Sequence, residues 1–252
     1  MKTMLSGSIL PVTNEMAVIL VNKLLSSIGV WGDSLLAGVV LDEKAGRYSI
    51  LENNAAASLA KKIGVTIRNN SKFGCTAPKG MKFLTRALEM DTEFSAAILE
   101  YGGNDCDFDW AQVAAAPEEE HIPKTPLDEF FRCYADMIAC IRAKGIEPVL
   151  VSLPPLDAER YFDWITRNGL SRENILSWLG DVQHIYRWHE RYSNAVSSLA
   201  RKYNCHFIDI RDAFLSVHRP GELMCADGIH PNQKGHALME KVFLEYAEQF
   251  IQ

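Results

Sequence analysis

Residues 95–105 read SAAILEYGGND, an apolar run that ends in two glycines and two polar residues. The run from Ser95 to Tyr101 predicts a strand buried on both faces, because its apolar residues are continuous rather than alternating with polar ones. Residues 146–153, IEPVLVSL, show the same pattern and are followed by two prolines. These two stretches therefore indicate strands of a parallel sheet.

Strands and helices alternate along the rest of the chain. Three further strands are predicted at residues 28–31, 65–68 and 206–210, and helices at residues 54–62, 81–90, 127–144, 183–202 and 235–250. The clearest helix is 127–144, whose apolar residues follow helical spacing and which Gly145 ends. Such alternation requires crossover connections and predicts an α/β fold with a parallel sheet. Ligands of such sheets bind at the carboxyl ends of the strands.

Polar motifs occur where this rule expects a ligand site. They are GDSL at 32–35, Gly74 after the second strand, GGND at 102–105, and DGIHP at 227–231 just before the last helix. Because the carboxyl ends of parallel strands share one edge of the sheet, the four loops are expected to converge there.

The side chains in these loops have the chemistry that acyl transfer requires. A serine hydroxyl attacks an ester only when a base takes its proton, and His230 is the natural base for Ser34. Asp227 lies three residues before His230, close enough to orient the imidazole and to stabilise its charged form. The backbone N–H groups of Ser34 and Gly74 and the side-chain amide of Asn104 are candidate donors to the oxyanion.

Each motif alone also has a structural interpretation. Ser34 could cap a helix, and Asn104 could be a turn residue after two glycines. His230 could cap a turn before a proline, and Asp33 is interpreted as structural, holding its loop through local hydrogen bonds. The occurrence of all four motifs, each in order and most of them after a predicted strand, favours the catalytic interpretation.

No metal or organic cofactor is predicted. The six cysteines form no CxxC pair, and His189-Glu190 lacks the second histidine of a zinc protease motif. A flavodoxin-like flavin or phosphate binder would need a phosphate-cradling loop after the first strand. The GDSLLAG stretch is a poor cradle, because Asp33 would repel a phosphate.

Taken together, the four motifs resemble the sequence blocks of the SGNH/GDSL hydrolase family, whose letters are matched by Ser34, Gly74, Asn104 and His230. The resemblance extends from residue 28 to the C-terminus. It implies a three-layer α/β/α sandwich with a five-stranded parallel sheet, of the flavodoxin-like type. It also implies a triad completed by Asp227 and esterase or lipase activity without a metal.

The reaction expected from this resemblance and from the residues is hydrolysis of a carboxylic ester, with a short-chain or O-acetyl ester as substrate and an acyl-serine intermediate on Ser34. The same triad would also serve an acyltransferase, a thioesterase or a lysophospholipase, and the sequence leaves these open. A non-catalytic scaffold that binds a ligand is the alternative outside enzymes.

Two segments, 112–125 and 156–180, are longer than plain connections and are expected to build the substrate cleft. Six aromatic residues in and beside them are its candidate walls: Phe108, Trp110, Tyr161, Phe162, Trp164 and Trp178.

Composition limits the partners. The 252 residues are 48% hydrophobic and 23% charged, which predicts one globular domain over residues 1–252. A net charge of -6 argues against a nucleic-acid surface and against a basic membrane-docking face. The apolar run from Met16 to Val21 is too short for a membrane span, and no clear signal peptide is present, so a cytoplasmic location is expected. The role of residues 1–27 and the oligomeric state stay open.

Overall fold

The computed structural model of the protein describes residues 27–90 and 93–249. Apart from Ser27, the N-terminal segment whose role the sequence leaves open lies outside the described residues. Within the two described ranges, no helix has both the length and the apolar character needed to cross a bilayer.

A five-stranded parallel sheet forms the centre of the fold and confirms the predicted class. The strands of the described chain are β1 (Ser27–Gly32), β2 (Val39–Asp42), β3 (Arg47–Ile50), β4 (Thr66–Asn69), β5 (Ala96–Glu100), β6 (Glu147–Val151) and β7 (His206–Ile208). The order in the central sheet is β4-β1-β5-β6-β7, while β2 and β3 form a separate antiparallel hairpin. Because all pairs of the central sheet are parallel, the loops that follow its strands leave from the same edge.

Helices cover both faces of the sheet. They are α1 (Ser34–Ala37), α2 (Ala55–Ile63), α3 (Ala77–Glu89), α4 (Trp110–Ala115), α5 (Leu127–Ala143), α6 (Ala158–Thr166), α7 (Arg172–Leu179), α8 (Gln183–Lys202), α9 (Ile210–Leu215) and α10 (Gln233–Glu248). Helices α3, α5 and α8 pack with Trp31 and Leu99 of the sheet in one apolar cluster. Helices α2, α9 and α10 pack with Val30 and Ile98 in a second cluster. Successive strand residues thus enter opposite cores, which explains why the strands are apolar throughout.

Most predicted elements are present with ends shifted by a few residues. Helix α3 begins four residues earlier than predicted, because Pro78 is accommodated in its first turn. Strand β7 ends at Ile208 instead of residue 210, because the Asp209 side chain accepts a hydrogen bond from the Asp212 N–H and caps α9.

Three differences are larger. The hairpin of β2 and β3 was not predicted. The segments 112–125 and 156–180 are not plain loops, because α4 begins just before the first and runs into it, and α6 and α7 occupy most of the second. These three helices pack with Phe108 and the start of α8 in a third apolar cluster, which meets the first core at Trp188.

We expect Gly80→Ala to destabilise the fold although alanine favours helices. A Cβ at position 80 would lie 2.3 Å from Cζ of Tyr101, a ring that is buried between α3 and the sheet. Overpacking of this kind costs about 1–3 kcal/mol, and urea unfolding would measure it. Lys82→Ala on the exposed face of α3 is the matched control. A Gly80→Ala variant as stable as the wild type would show that Tyr101 can move freely.

Candidate active site

Ser34 is held at the junction of β1 and α1. The Asp33 carboxylate caps the short helix, with Oδ1 accepting a hydrogen bond from the Leu35 N–H at 2.9 Å. Asp33 is therefore the capping residue, and the Ser34 hydroxyl is left available for another partner. Ser34 itself is only 7% exposed.

That partner is His230. The Ser34 hydroxyl lies 2.9 Å from Nε2 of His230, and Nδ1 of His230 lies 2.7 Å from Oδ2 of Asp227. With Nδ1 protonated and donating to Asp227, Nε2 is left as the acceptor for the serine proton. The three side chains therefore form a continuous hydrogen-bonded chain, although Ser34 and His230 are 196 residues apart.

Asp227 is fixed as an anion. Its Oδ1 accepts hydrogen bonds from the N–H groups of Ile229 and His230, both at 3.1 Å. Burial favours the neutral carboxyl, but the hydrogen bonds and positive charge of His230 outweigh it and lower the pKa of Asp227 below its ordinary value. A carboxylate in this position holds the imidazole in one tautomer.

Gly228 allows this turn to form. Its φ of +76° is in the left-handed region, and a Cβ there would lie 2.5 Å from the carbonyl oxygen of Asp157. The Gly228 carbonyl accepts a hydrogen bond from the Asp157 N–H at 2.8 Å. The loop that carries Asp227 and His230 is therefore braced against the start of α6.

Gly74 and Asn104 lie beside the serine. Both line the same cavity as Ser34. The Asn104 amide donates one hydrogen to Oδ2 of Asp33 at 2.9 Å, and its second amide hydrogen stays available. The N–H of Gly74 has no hydrogen-bond partner among the described residues. Two polar donors without a fixed acceptor thus lie in the cavity that holds the serine.

The cavity beside Ser34 has a volume of about 130 Å³ and mostly apolar walls. Of the predicted wall residues, Phe108, Trp110 and Tyr161 line it, and Tyr161 is held by donating a 2.7 Å hydrogen bond to Asp107. Among the lining residues that the sequence analysis did not select as walls are Leu156, Leu179, Ile185, Trp188 and His189. Burial lowers the pKa of His189 to about 3, so this side chain adds no charge to the wall.

Three predicted wall residues lie outside the cavity lining. Trp164 is on the more exposed side of α6, where the Arg167 guanidinium lies 3.6 Å from its ring centre. Phe162 is buried within the helical cluster, and Trp178 packs behind Phe108 with ring centres 4.9 Å apart. Their positions follow from the rotation of α6 and α7 about their own axes, which aromatic content alone does not determine.

No metal site accompanies this arrangement: in residues 27–90 and 93–249, no group of three or more His, Cys, Asp or Glu side chains could hold a metal ion.

The chain also matches a known protein family. The model of the GDSL-like Lipase/Acylhydrolase family matches residues 30–238. The chain belongs to this family. It is accordingly a hydrolase of the lipase and esterase type that acts on ester bonds. No curated protein sequence matches the chain significantly.

Solved structures of other acylhydrolases share the fold. A lipase/acylhydrolase from Enterococcus faecalis has a TM-score of 0.62 at 18% identity, over 89% of this chain and 96% of that one. A psychrotrophic esterase from Pseudoalteromonas sp. has a TM-score of 0.57 at 16% identity, over 90% and 98%. A member of the lipolytic G-D-S-L family from Veillonella parvula has a TM-score of 0.61 at 15% identity, over 87% and 97%.

In this GDSL-type hydrolase, two aromatic residues pack against His230, and the sequence analysis did not predict either contact. The ring of Phe73 stacks on the imidazole with ring centres 5.9 Å apart, and Tyr48 lies 5.0 Å away. Phe73 is 58% exposed, so its ring forms part of the rim. Tyr48 comes from β3, and the signal for its hairpin was the apolar stretch VVL followed by a turn containing Gly46.

Replacing Gly228 should reduce activity more than it reduces stability. Gly228→Ala adds both a strained φ and a contact with the Asp157 carbonyl, so the loop and His230 must shift. A displacement of about 1 Å at a reacting group costs on the order of 100-fold in rate, and ester hydrolysis under saturating substrate would report it. Gly64→Ala is the control, because Gly64 has a φ of +69° but open space around it. Equal activities of the two variants would contradict the bracing role of Gly228.

Proposed function

We propose that the protein hydrolyses short-chain carboxylic esters through an acyl-serine intermediate on Ser34. The observation that carries the proposal is the hydrogen-bonded chain from Ser34 through His230 to Asp227, which opens onto a small apolar cavity. In such a chain the imidazole is the base that takes the serine proton. The carboxylate stabilises the positive charge that the imidazole then carries.

In the first half of the reaction, the Ser34 hydroxyl attacks the ester carbonyl carbon and passes its proton to Nε2 of His230. The resulting imidazolium is stabilised by Asp227. As the tetrahedral intermediate collapses, the ester bond breaks and His230 gives the proton to the leaving alcohol. In the second half, water attacks the acyl-serine with His230 again as base, and the acid leaves as Ser34 recovers its proton.

The developing negative charge needs donors beside Ser34. The Ser34 N–H lies in the first turn of α1, where backbone N–H groups have no acceptor within the helix. The N–H of Gly74 and the free hydrogen of the Asn104 amide complete a set of three. Donors that are fixed before the reaction stabilise the transition state without reorganisation.

The cavity limits the acyl group. A cavity of roughly 150 Å³ accommodates about one benzene-sized molecule, so the volume beside Ser34 suits a group of at most about six carbons. The wall of Phe108, Trp110 and Leu179 is apolar and buried, which favours an acyl chain over a polar group. A long fatty acyl chain would extend beyond this volume.

The acyl length therefore provides the main test. We expect hydrolysis of p-nitrophenyl esters from acetate to about hexanoate, a steep fall beyond octanoate, and loss of all turnover in Ser34→Ala. Ser177→Ala, at an exposed serine of α7, is the control and should keep wild-type rates. Turnover by a folded Ser34→Ala variant would refute the assignment. Measuring both the free acid and any transferred acyl ester would separate hydrolysis from acyl transfer.

Asn104→Ala should lower kcat and leave KM nearly unchanged, because the oxyanion forms only in the transition state. Loss of one such donor costs about 2.7–4 kcal/mol, or roughly 100- to 1000-fold in kcat. Steady-state kinetics on the preferred ester would measure both constants, and Asn53→Ala, at an exposed asparagine, is the control. A rise in KM at constant kcat would instead indicate ground-state binding by Asn104.

A further inference from the structure

Three buried carboxyl groups lie beneath the proposed oxyanion donors. Asp33 is 1% exposed, and Glu100 and Asp105 are fully buried. In the described part of the chain, no Lys or Arg forms an ion pair with any of the three. Three negative charges in one uncompensated cluster would be costly, so protons must reside in this cluster.

Glu100 is the member whose contacts least fit an anion. It is the last residue of β5 and lies opposite Gly32. A Cβ on Gly32 would lie 3.1 Å from Oε2 of Glu100, so the Glu100 carboxyl group is next to residues 32 and 33. Neither carboxyl oxygen of Glu100 accepts a hydrogen bond of good geometry from an N–H or O–H donor. Burial, together with the charge of Asp33, raises the pKa of Glu100 well above its ordinary value of 4.5.

Asp33 has the opposite surroundings. Each of its carboxyl oxygens accepts a hydrogen bond, one from the Leu35 N–H and one from the Asn104 amide. Burial raises the pKa of Asp33 above its ordinary value, but the hydrogen bonds from Leu35 and Asn104 and the charge of His230 oppose this rise and favour the ionised form. Of the two neighbouring carboxyl groups, Asp33 is therefore the one suited to be the anion and acceptor, and Glu100 the one suited to hold the proton.

We propose that Glu100 is a positioning residue: it keeps one proton between itself and Asp33, and the pair holds the Asn104 amide toward the oxyanion. The inference rests on the proposed function, because it takes Asn104 as an oxyanion donor. Asp33 accepts one hydrogen of that amide, and the amide geometry then fixes the direction of the second. A proton on Glu100 keeps the pair at a single negative charge.

Loss of the shared proton would place a second negative charge close to the developing oxyanion. The other titratable groups around Glu100 do not offset this charge, since they are acids that are neutral or negative at neutral pH: Asp105, Tyr101 and Tyr134. His230 faces Asp33, and its charge favours the ionised form of Asp33. Ionisation of Glu100 should therefore lower kcat and not the affinity for the ester.

The test compares Glu100→Gln with Glu100→Leu over a range of pH. Glutamine can donate to Asp33 but cannot ionise, so Glu100→Gln should extend activity to higher pH, with its kcat at neutral pH within about 10-fold of the wild type. Leucine removes the donor, and kcat should fall about 10- to 100-fold at all pH values with KM unchanged. Glu129→Gln, at an exposed glutamate of α5, should leave the wild-type profile unaltered.

The stability of the same variants tests the proton without any substrate. The pKa of Glu100 is raised on folding, so its contribution to stability is fully present below about pH 4.5 and is lost as the pH rises through the folded-state pKa. Glutamine does not ionise, so Glu100→Gln does not lose stability in this way. The urea concentration at its unfolding midpoint should therefore increase relative to that of the wild type as the pH rises.

The outcomes separate the two proposals. If the difference in unfolding free energy between Glu100→Gln and the wild type is constant from pH 4 to 9, the proposal of a shared proton is wrong. An alkaline limb that is identical in both proteins, or a folded but inactive Glu100→Gln, would also overturn it. Absence of ester hydrolysis in the wild type would refute the proposed function alone, because the stability curves would still decide the proton.

Discussion

The parallel pairing of β1 with β5 determines where the polar groups of the site lie. Gly32 is opposite Glu100 in this pair, so the residues that follow each strand emerge side by side. Asp33 and Asn104, which are 71 residues apart in sequence, are joined by one hydrogen bond across the two loops. A shift of register by one residue would move every side chain of the strand to the opposite face of the sheet. It would also separate these two loops.

The sequence predicted those parts of the fold that have strong local signals. The continuous apolar runs of β5 and β6 identify buried parallel strands, because both of their faces are covered by helices. The contact between Asp227 and His230 is also local, since only three residues separate them. The approach of Ser34 to His230 depends on the whole sheet, and only the combination of motifs indicated it.

The parts that were missed depend on tertiary contacts. Tyr161 and Trp164 are three residues apart on α6, yet only Tyr161 lines the cavity, through its hydrogen bond to Asp107. The aromatic residues in the sequence predict that these helices line a cavity. They do not predict how each helix is rotated about its axis, and so which of its side chains face the cavity. The hairpin strands β2 and β3 are four residues each and are largely exposed at β3, so hydrophobic periodicity is weak there.

Helices α4, α6 and α7 pack with the start of α8 in a third apolar cluster, which meets the first sheet core at Trp188. Phe108, Trp110, Tyr161, Leu179 and Ile185 of this cluster form part of the apolar wall. Ser34, Asp227 and His230 are instead carried by the sheet edge and the loop before α10. Substitutions in this cluster can therefore change the shape of the wall with little effect on the sheet. Substrate preference can diverge between descendants of such a protein while the hydrolytic chemistry is inherited intact.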